Sequence, residues 1–349
     1  MKALTVLPLT AKSERVEEID EPATTDGAVL VETIAVGICG TDLEILSGDY
    51  GWSPPGEDRL VLGHESIGRV LEAPSGSSLK TGDLVVGIVR RPDPVPCYAC
   101  AQGEWDACRN GEYTEHGIKS LHGFMRERYR ADEAALMAVD ASLEHRGVLM
   151  EPTTIVAKAW EQALAIGHRA TWEPKTALIL GAGPIGLLAA MIGKQMGLSV
   201  TVVDRTEDGP KPGLVAALGA TYHAGPADSL DDADVVMECT GVPALLPEAI
   251  EKTANGGVTC LTGVSPTGTS LTLDLGALGR EMVLTNKAVV GSVNANRRHY
   301  EAAAAALAKA DQSWLDGLLT RRVPLEEYES AFTHDNNDVK VVLELPARS

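Results

Sequence analysis

The sequence predicts an α/β chain in which a β-rich domain precedes a doubly wound parallel sheet. Three observations support this fold class. Short apolar segments separated by glycine and proline precede residue 151, strands alternate with helices after it, and a glycine-rich turn begins at Gly181. With 349 residues, the chain is long enough for two domains, each with its own core.

The N-terminal part is typical of a compact barrel of short strands. Clusters of glycine, proline and serine separate the apolar segments, as at 48–56 and 75–78, and such clusters mark turns. The predicted strands are 1–6, 28–34, 67–73 and 83–89. The stretch 92–111 is too rich in turn-forming residues to predict either helix or strand.

After residue 151 the pattern indicates βαβ units, because apolar strands alternate with segments of helical spacing. The predicted strands are 177–180, 198–204, 235–239, 257–261, 288–293 and 339–345. The predicted helices are 155–166, 186–196, 214–218, 244–253 and 300–310.

Composition narrows the possible partners and the compartment. The formal net charge of −19 argues against nucleic acid and anionic membranes as partners. The N-terminus lacks the features of a signal peptide, and the uncharged runs 176–193 and 253–273 are too rich in glycine or polar residues to span a membrane. The six cysteines suggest metal binding in a reducing compartment, so a cytoplasmic protein is expected.

The segment 181–186, GAGPIG, follows the strand 177–180 and begins a helix, as in dinucleotide-binding βαβ units. Its first glycine permits a tight turn, its second allows a pyrophosphate to approach the backbone, and its third lets the helix pack on the strand. The free N–H groups of the helix N-terminus would bind the anion. The predicted cofactor-binding residues of this motif are Gly181, Gly183, Pro184, Ile185 and Gly186.

Asp204 lies 18 residues after this motif, at the end of the next predicted strand. A carboxylate there can accept hydrogen bonds from a ribose 2′-hydroxyl and would repel a 2′-phosphate, so the sequence predicts NAD in preference to NADP. Arg205 is the counter-argument, because an adjacent arginine can accommodate the phosphate.

Cys39, the pair His64-Glu65 and Glu151 each lie in a distinctive local pattern: GICGTD, LGHE and MEP. A thiolate, an imidazole and a carboxylate provide three ligands for a tetrahedral zinc whose fourth position is open. Such a zinc lowers the pKa of a bound alcohol and so favours hydride loss to a nicotinamide. Thr41 is a candidate relay for the alcohol proton, although a hydroxyl bonded within a turn is an equal alternative.

A second candidate metal site is formed by Cys97, Cys100 and Cys108. Structural zinc sites are closed by four ligands, and Asp93 is the nearest candidate for the fourth. Three free thiols and a partly occupied site remain as alternatives.

These residues resemble the zinc-dependent medium-chain dehydrogenases, and most closely their archaeal-type glucose dehydrogenase branch. The resemblance covers essentially the whole chain and depends on six segments: 38–45, 60–65, 90–91, 123–127, 285–287 and 291–294. It implies a GroES-like catalytic domain and a Rossmann domain. The implied limits are 1–170 for the first catalytic segment, 171–293 for the NAD-binding domain and 294–349 for the returning segment.

The resemblance also implies functional roles. Cys39 and His64 would bind the catalytic zinc directly, and Glu65 and Glu151 would complete its shell, in some states through water. Glu115, Asn294 and His299 match positions that contact the sugar or line the site. Thr240 and Val264 match loops that line the cofactor, as does Asn294.

The implied reaction is oxidation of the anomeric hydroxyl of an aldose to a lactone, with a homodimer or homotetramer as the expected assembly. Oxidation of a secondary hydroxyl on a polyol or aminocyclitol is the alternative. A non-catalytic nucleotide-binding relative is a remote one, because such proteins lack the zinc ligands. Two features depart from the family pattern. Asp93 replaces the first of the four cysteines that the family usually has in the second metal site, within the stretch 92–111, which we call the lobe. Asp204 stands where relatives that use NADP often carry basic or small residues. The remaining histidines are expected at the surface or in turns: His116, His122, His145, His168, His223 and His334.

Overall fold

The computed structural model describes residues 1–265, 268–333 and 335–346, so His334 lies outside the described residues. The chain divides into two compact units. The first comprises Met1–Glu151, Ala295–Ala304 and the described part of Leu319–Ser349, and the second comprises Pro152–Asn294 and Ala305–Leu318. The predicted domain limits at 170 and 293 remain predictions.

The first unit is β-rich. Its strands are β1 Lys2–Val6, β2 Arg15–Glu18, β3 Val29–Gly37, β4 Leu60–Val61, β5 Glu65–Glu72, β6 Leu84–Gly87, β7 Arg90–Arg91, β8 Thr114–His116, β9 Ser120–Leu121, β10 Arg128–Ala131 and β11 Leu136–Val139. The second unit holds six parallel strands: β12 Thr176–Leu180, β13 Ser199–Asp204, β14 Thr221–Ala224, β15 Ala233–Glu238, β16 Thr253–Leu261 and β17 Ala288–Gly291. Strands β18 Arg321–Pro324 and β19 Val341–Glu344 belong to the first unit.

The described helices include long segments and single turns. They are α1 Gly40–Ser47, α2 Tyr98–Ala101, α3 Met150–Gly167, α4 Pro184–Gln195, α5 Pro210–Ala217, α6 Leu245–Glu251, α7 Leu275–Thr285, α8 Arg297–Lys309, α9 Gln312–Leu318 and α10 Tyr328–Ala331. No described helix is both long enough and apolar enough to cross a bilayer.

The main sheet of the first unit has the order β11-β6-β5-β3-β19-β18, and β10 also pairs with β3. Along β3 the side chains at Val29, Val31 and Thr33 are buried and those between them are only partly so, which is the period of a strand with one face on the core. β19 pairs with β3, so residues from the C-terminal segment complete this sheet.

The sheet of the second unit has the order β14-β13-β12-β15-β16-β17, and all its pairs are parallel. Numbered from β12, this is the order 3-2-1-4-5-6 of dinucleotide-binding folds, in which ligands bind beyond the carboxyl ends of the strands where the order reverses. That point lies between β12 and β15. The predicted fold class is confirmed.

Five of the described helices were not predicted from the sequence: α1, α2, α7, α9 and α10. α1 begins after Cys39, where Asp42 accepts a hydrogen bond from the Cys39 amide, and it ends at Gly48 in a left-handed conformation. α7 has no buried residue, so it has no core-facing stripe of apolar side chains. The cysteine-rich stretch predicted to be irregular contains the single turn α2.

Candidate active site

A cluster of metal-binding side chains lies in the first unit. Cys39 immediately precedes α1, His64 immediately precedes β5, and Glu65 is the first residue of that strand. One ligand atom of each lies within 4.8 Å of the other two. A thiol, an imidazole and a carboxylate at this spacing fit a tetrahedral zinc. The structure therefore brings together three residues that are separated in sequence by as many as 26 positions.

Asp42 lies beside His64 and was not predicted as a site residue. The Asp42 Oδ1 atom is 3.6 Å from His64 Nδ1, and its Oδ2 accepts a hydrogen bond of 2.8 Å from the Cys39 amide. Burial disfavours protonation of His64, but the Asp42 carboxylate and the Cys39 sulfur raise its pKa well above the ordinary value. A carboxylate next to one ring nitrogen orients the imidazole so that the other nitrogen can bind a metal.

Lys340 is a second residue that sequence analysis missed. Its Nζ donates to both Glu65 oxygens at 2.7 and 2.6 Å and to the Ile38 carbonyl at 2.9 Å. Both side chains of the ion pair are almost fully buried. Burial lowers the pKa of Lys340, but Glu65 and Cys39 outweigh this and raise it. Because Lys340 follows Glu65 by 275 positions, no local pattern could have linked them.

Glu151 lies in the first turn of α3 and is buried. Burial raises the pKa of its carboxyl to about 7, the charge of His64 opposes that shift, and Glu65 adds to it. The Glu151 carboxyl therefore lies within electrostatic range of the metal-binding cluster. Thr41, the candidate proton relay, is the second residue of α1 and is half-buried.

A buried polar network joins two of the predicted substrate-binding residues. Glu115 accepts a hydrogen bond of 3.0 Å from Arg90 Nε, and Arg90 also donates to the Asp106 carbonyl. The Asp106 carboxylate accepts from the Asn296 amide group at 2.7 Å. The Asn296 backbone N–H in turn donates to His299 Nδ1 at 3.0 Å. One continuous chain of hydrogen bonds therefore connects Glu115 to His299.

Asn294, the third predicted substrate residue, is the last residue of its segment in the second unit. Its φ of 62° places it in the left-handed region, which asparagine tolerates better than most residues. Lys158 of the same unit donates to the adjacent Val293 carbonyl at 2.9 Å, so this turn is fixed.

The second predicted metal site has three members in the structure. Sulfur atoms of Cys97, Cys100 and Cys108 lie within 4.8 Å of one another. The Asp93 carboxylate, predicted as a possible fourth ligand, instead accepts hydrogen bonds from the Val95 amide at 2.7 Å and from Asn110. Among the described residues, this second site therefore has three candidate metal ligands, all of them thiols.

The nucleotide loop has the geometry that its glycines predict. Gly181 has a φ of 104°, and a Cβ on Gly186 would lie 1.8 Å from the Gly181 carbonyl oxygen, so no side chain fits at Gly186. A Cβ on Gly183 would meet nothing within 4 Å, which leaves open space in front of this backbone. Pro184 is the first residue of α4, and Ile185 is half-buried behind it. The N-terminus of α4, where the first N–H groups of a helix have no intrahelical acceptor, fits a dinucleotide pyrophosphate.

Asp204 ends β13 beside this loop. Its carboxylate accepts hydrogen bonds from the Ala182 amide at 2.8 Å and the Thr206 amide at 3.0 Å, and Lys211 Nζ lies 3.3 Å away. Burial would raise the pKa of Asp204, but these donors lower it. Arg205 is exposed. Lys211 was not singled out by sequence analysis, since it lies seven residues beyond the acid in a different element.

The loops after β15 and β16 contact one another. Glu238 accepts hydrogen bonds from the backbone N–H groups of Thr240 and Gly241. A Cβ on Gly241 would lie 2.4 Å from the Val264 carbonyl oxygen. Thr240 and Val264, both predicted to line the cofactor, therefore border the point where the strand order reverses.

The fold, the cluster of Cys39, His64 and Glu65, and the nucleotide loop together are typical of zinc-dependent alcohol dehydrogenases. Comparisons with known proteins agree: residues 25–141 match the alcohol dehydrogenase GroES-like domain, and residues 144–345 match the glucose dehydrogenase C-terminus. The chain belongs to the glucose dehydrogenase family within this class.

Individual relatives support this membership over their whole length. The chain is 43% identical to a glucose 1-dehydrogenase of Thermoproteus tenax and 41% identical to one of Caldivirga maquilingensis, over 99% of each chain. Among solved structures, it is similar to Haloferax mediterranei glucose dehydrogenase in complex with NADP, zinc and gluconolactone. That similarity has a TM-score of 0.92 and 36% identity over the full length of both chains. The predicted resemblance is confirmed.

Proposed function

We propose that this protein is a zinc-dependent glucose 1-dehydrogenase that transfers hydride from the anomeric carbon of an aldose to a nicotinamide cofactor and yields a lactone. The observation that carries the proposal is the grouping of Cys39, His64 and Glu65 within 4.8 Å, with Glu151 in electrostatic range. The relatives named glucose 1-dehydrogenase and the homologous complex with NADP, zinc and gluconolactone support the same reaction.

Cys39 and His64 would bind the zinc, and Glu65 and Glu151 would complete its shell. When bound, the zinc acts as a Lewis acid that lowers the pKa of the sugar hydroxyl, and the nicotinamide accepts the hydride. Asp42 keeps the His64 ring oriented, and Lys340 balances the charge of Glu65. We assign Thr41 the role of accepting the hydroxyl proton, because it follows Cys39 by two positions and is half-buried.

Sugar binding is assigned to Glu115, His299 and Asn294. A buried carboxylate can accept hydrogen bonds from sugar hydroxyls, and the Arg90 ion pair holds the Glu115 side chain in place. A simple alcohol would leave these polar groups unsatisfied, which disfavours it as a substrate.

For the cofactor, we propose that NAD is preferred over NADP. The lowered pKa of Asp204 keeps its carboxylate anionic and thus repulsive to a 2′-phosphate. Arg205 and Lys211 oppose this preference. The ratio of kcat/KM for the two cofactors measures it, and Lys211→Met should raise the ratio in favour of NAD. A wild-type enzyme that prefers NADP would contradict the assignment.

Three further proposals concern metal content, assembly and location. Cys97, Cys100 and Cys108 would hold a second, structural zinc.

A second copy of this chain would cover α7, whose Leu275, Val283 and Leu284 are largely exposed, in the unit whose sheet has β17 as an edge strand. Val283→Glu should then shift the assembly toward the monomer in light scattering. The thiol clusters need reduced sulfur to bind metal, which supports a cytoplasmic location.

The decisive test is a substrate panel of aldoses, polyols and aminocyclitols with each cofactor, read as kcat/KM. Glucose-like aldoses should rank first, and the product should consume base as the lactone hydrolyses. Hydride transfer itself releases one proton per turnover, and lactone hydrolysis releases a second. Preference for a polyol, with only one equivalent of base consumed per turnover, would instead indicate oxidation of a secondary hydroxyl. Absence of turnover in a zinc-loaded preparation would contradict the enzymatic proposal.

A further inference from the structure

A separate cavity of about 690 Å³ lies within the first unit. Cys39, His64, Glu65 and Glu151 do not line it. Thr114 and His116 of β8 do, whereas Glu115 between them does not. Because neighbouring residues of a strand face opposite sides, the cavity lies behind the strand that carries the proposed sugar-binding carboxylate.

Arg126 is the most unusual residue of this cavity wall. Its side chain is more than nine-tenths buried, yet no described residue accepts a hydrogen bond from its guanidinium. Burial lowers its pKa to about 10, so it stays charged at neutral pH. The buried atom without a partner is Arg126 Nε, and a guanidinium that is buried without an acceptor is costly because its charge is desolvated.

Other donors without acceptors surround the same cavity. Arg130 Nε and Trp105 Nε1 are buried and lack a partner among the described residues. Arg91 donates to the Ile88 carbonyl and approaches His116 Nε2 at 2.8 Å, and no described carboxylate forms an ion pair with it. These unsatisfied cavity atoms are all N–H donors, so a ligand with hydrogen-bond acceptors would satisfy them.

His116 is buried at the end of β8, so the surface or turn position predicted for it is wrong, and it provides no further positive charge. His116 Nδ1 lies 2.6 Å from the His122 carbonyl, so it donates there and leaves Nε2 to accept from Arg91. Burial and the nearby arginines lower the pKa of His116 well below its ordinary value. The charge on the inner wall therefore comes from the arginines.

The rim of the cavity has the opposite character. Asp26, Glu57 and Asp132 line it and are exposed. Glu57 already accepts from His122 Nε2 at 2.8 Å, and Asp26 accepts from the Ala23 amide. Carboxylates at the mouth would accept hydrogen bonds from hydroxyl groups and repel a second anionic group.

We propose that this cavity binds a small polyhydroxylated metabolite with one oxyanionic group, held by Arg126 and Arg91, and with its hydroxyl groups toward the acidic rim. The volume is in the range of small-molecule sites, and the planar guanidinium matches phosphate and carboxylate oxygens in pairs. Sugar phosphates and sugar acids share this chemistry. The site itself does not depend on the proposed function, although a sugar acid is what the proposed lactone product becomes on hydrolysis.

The test is isothermal titration calorimetry on the zinc-loaded full-length protein, saturated with cofactor so that its phosphate sites are filled. Glucose 6-phosphate, gluconate, inorganic phosphate and neutral glucose are the probes. At least one of the first two should bind with a saturable isotherm, and Arg126→Met should weaken that binding at least tenfold. The probe that binds identifies the phosphate or the carboxylate source.

Three controls keep the result interpretable. Arg15→Met removes an exposed arginine of the same unit and should leave binding unchanged. Arg126→Lys keeps the charge but loses the paired donors, so it should bind more weakly than wild type. The Arg126 variants should retain the wild-type KM for glucose, which distinguishes this cavity from the proposed active site. Equal binding by wild type and Arg126→Met, or no saturable binding of either probe, would overturn the proposal.

Discussion

The two cysteine-containing clusters of the first unit differ in how their ligands are held. Cys39, His64 and Glu65 belong to the ends of regular elements, and buried partners, Asp42 and Lys340, bond or approach them. Cys97, Cys100 and Cys108 lie around a single helical turn. The comparison shows that metal-binding residues alone do not define a site, because the buried groups behind them set geometry and charge.

The two clusters also differ in the direction of their pKa shifts and in the cause of each. In the first cluster, burial raises the pKa of the nearby Glu151 carboxyl to about 7. In the second, hydrogen bonds from the backbone N–H groups of Arg109 and Cys100 lower the pKa of Cys97 to about 6. A metal bound at the first cluster would therefore favour the ionised form of Glu151. In the second cluster, backbone N–H groups already favour the Cys97 thiolate, whereas burial raises the pKa of Cys100 to about 11.

The largest expected effect comes from removing the thiol of the first cluster. Cys39→Ala should lower kcat/KM by at least about 10³-fold, since a bound metal contributes several kcal/mol of transition-state stabilisation. The variant should also lose one zinc per chain in elemental analysis. Cys260→Ala, at a buried thiol outside both clusters, is the control and should keep both metal and activity. Full activity of Cys39→Ala would refute the zinc mechanism.

The next effect concerns the charge behind Glu65. Lys340→Met leaves a buried carboxylate without its cation, and such a change typically costs about 3–5 kcal/mol of unfolding free energy. The double variant Lys340→Met/Glu65→Gln should recover most of that loss, because it removes both charges. Urea unfolding of the four proteins in this cycle measures the coupling. Equal losses in the single and double variants would show that the ion pair does not matter.

A pH dependence should separate the clusters further. A carboxyl whose pKa rises from 4.5 to about 7 on folding favours the folded state least when it is ionised. In metal-free protein, Glu151 should therefore cost about 3 kcal/mol of stability as pH rises from 4.5 through 7. Glu151→Gln should remove that part of the pH dependence. Zinc should stabilise the wild type more at pH 7 than at pH 5, and identical pH profiles for the two proteins would contradict the assignment.

How much of the fold and of the candidate site could be predicted from the sequence depends on how far apart the interacting residues lie along the chain. Cys39, His64 and the loop at Gly181 lie in short patterns whose geometry is local, so the ligands and the nucleotide fold could be predicted. Lys340 and Asn296 bond to partners 275 and 190 positions away, so they carry no local signature. Arg126 belonged to a recognised segment, but only the cavity shows that its guanidinium lacks an acceptor. Asp42 could have been found, because an acid three residues after Cys39 is a capping signal.

The smallest effects concern Asp93 and test whether the lobe is short of one ligand. The Asp93 carboxylate is already bonded to the Val95 amide and Asn110. Asp93→Asn preserves an acceptor for the Val95 amide, so stability should change by no more than about 0.5 kcal/mol and zinc content should not change.

Asp93→Cys differs from Asp93→Asn because it adds a fourth thiolate beside Cys100. Four thiolates form a closed structural site, so this variant should resist a chelator longer than wild type and contain two zinc ions per chain after dialysis. Elemental analysis and chelator kinetics on both variants make a matched pair. Loss of zinc in Asp93→Asn would show that the carboxylate is itself a ligand in the metal-bound protein. It would also remove the contrast between the first cluster, with its buried partners, and a lobe that lacks a fourth ligand.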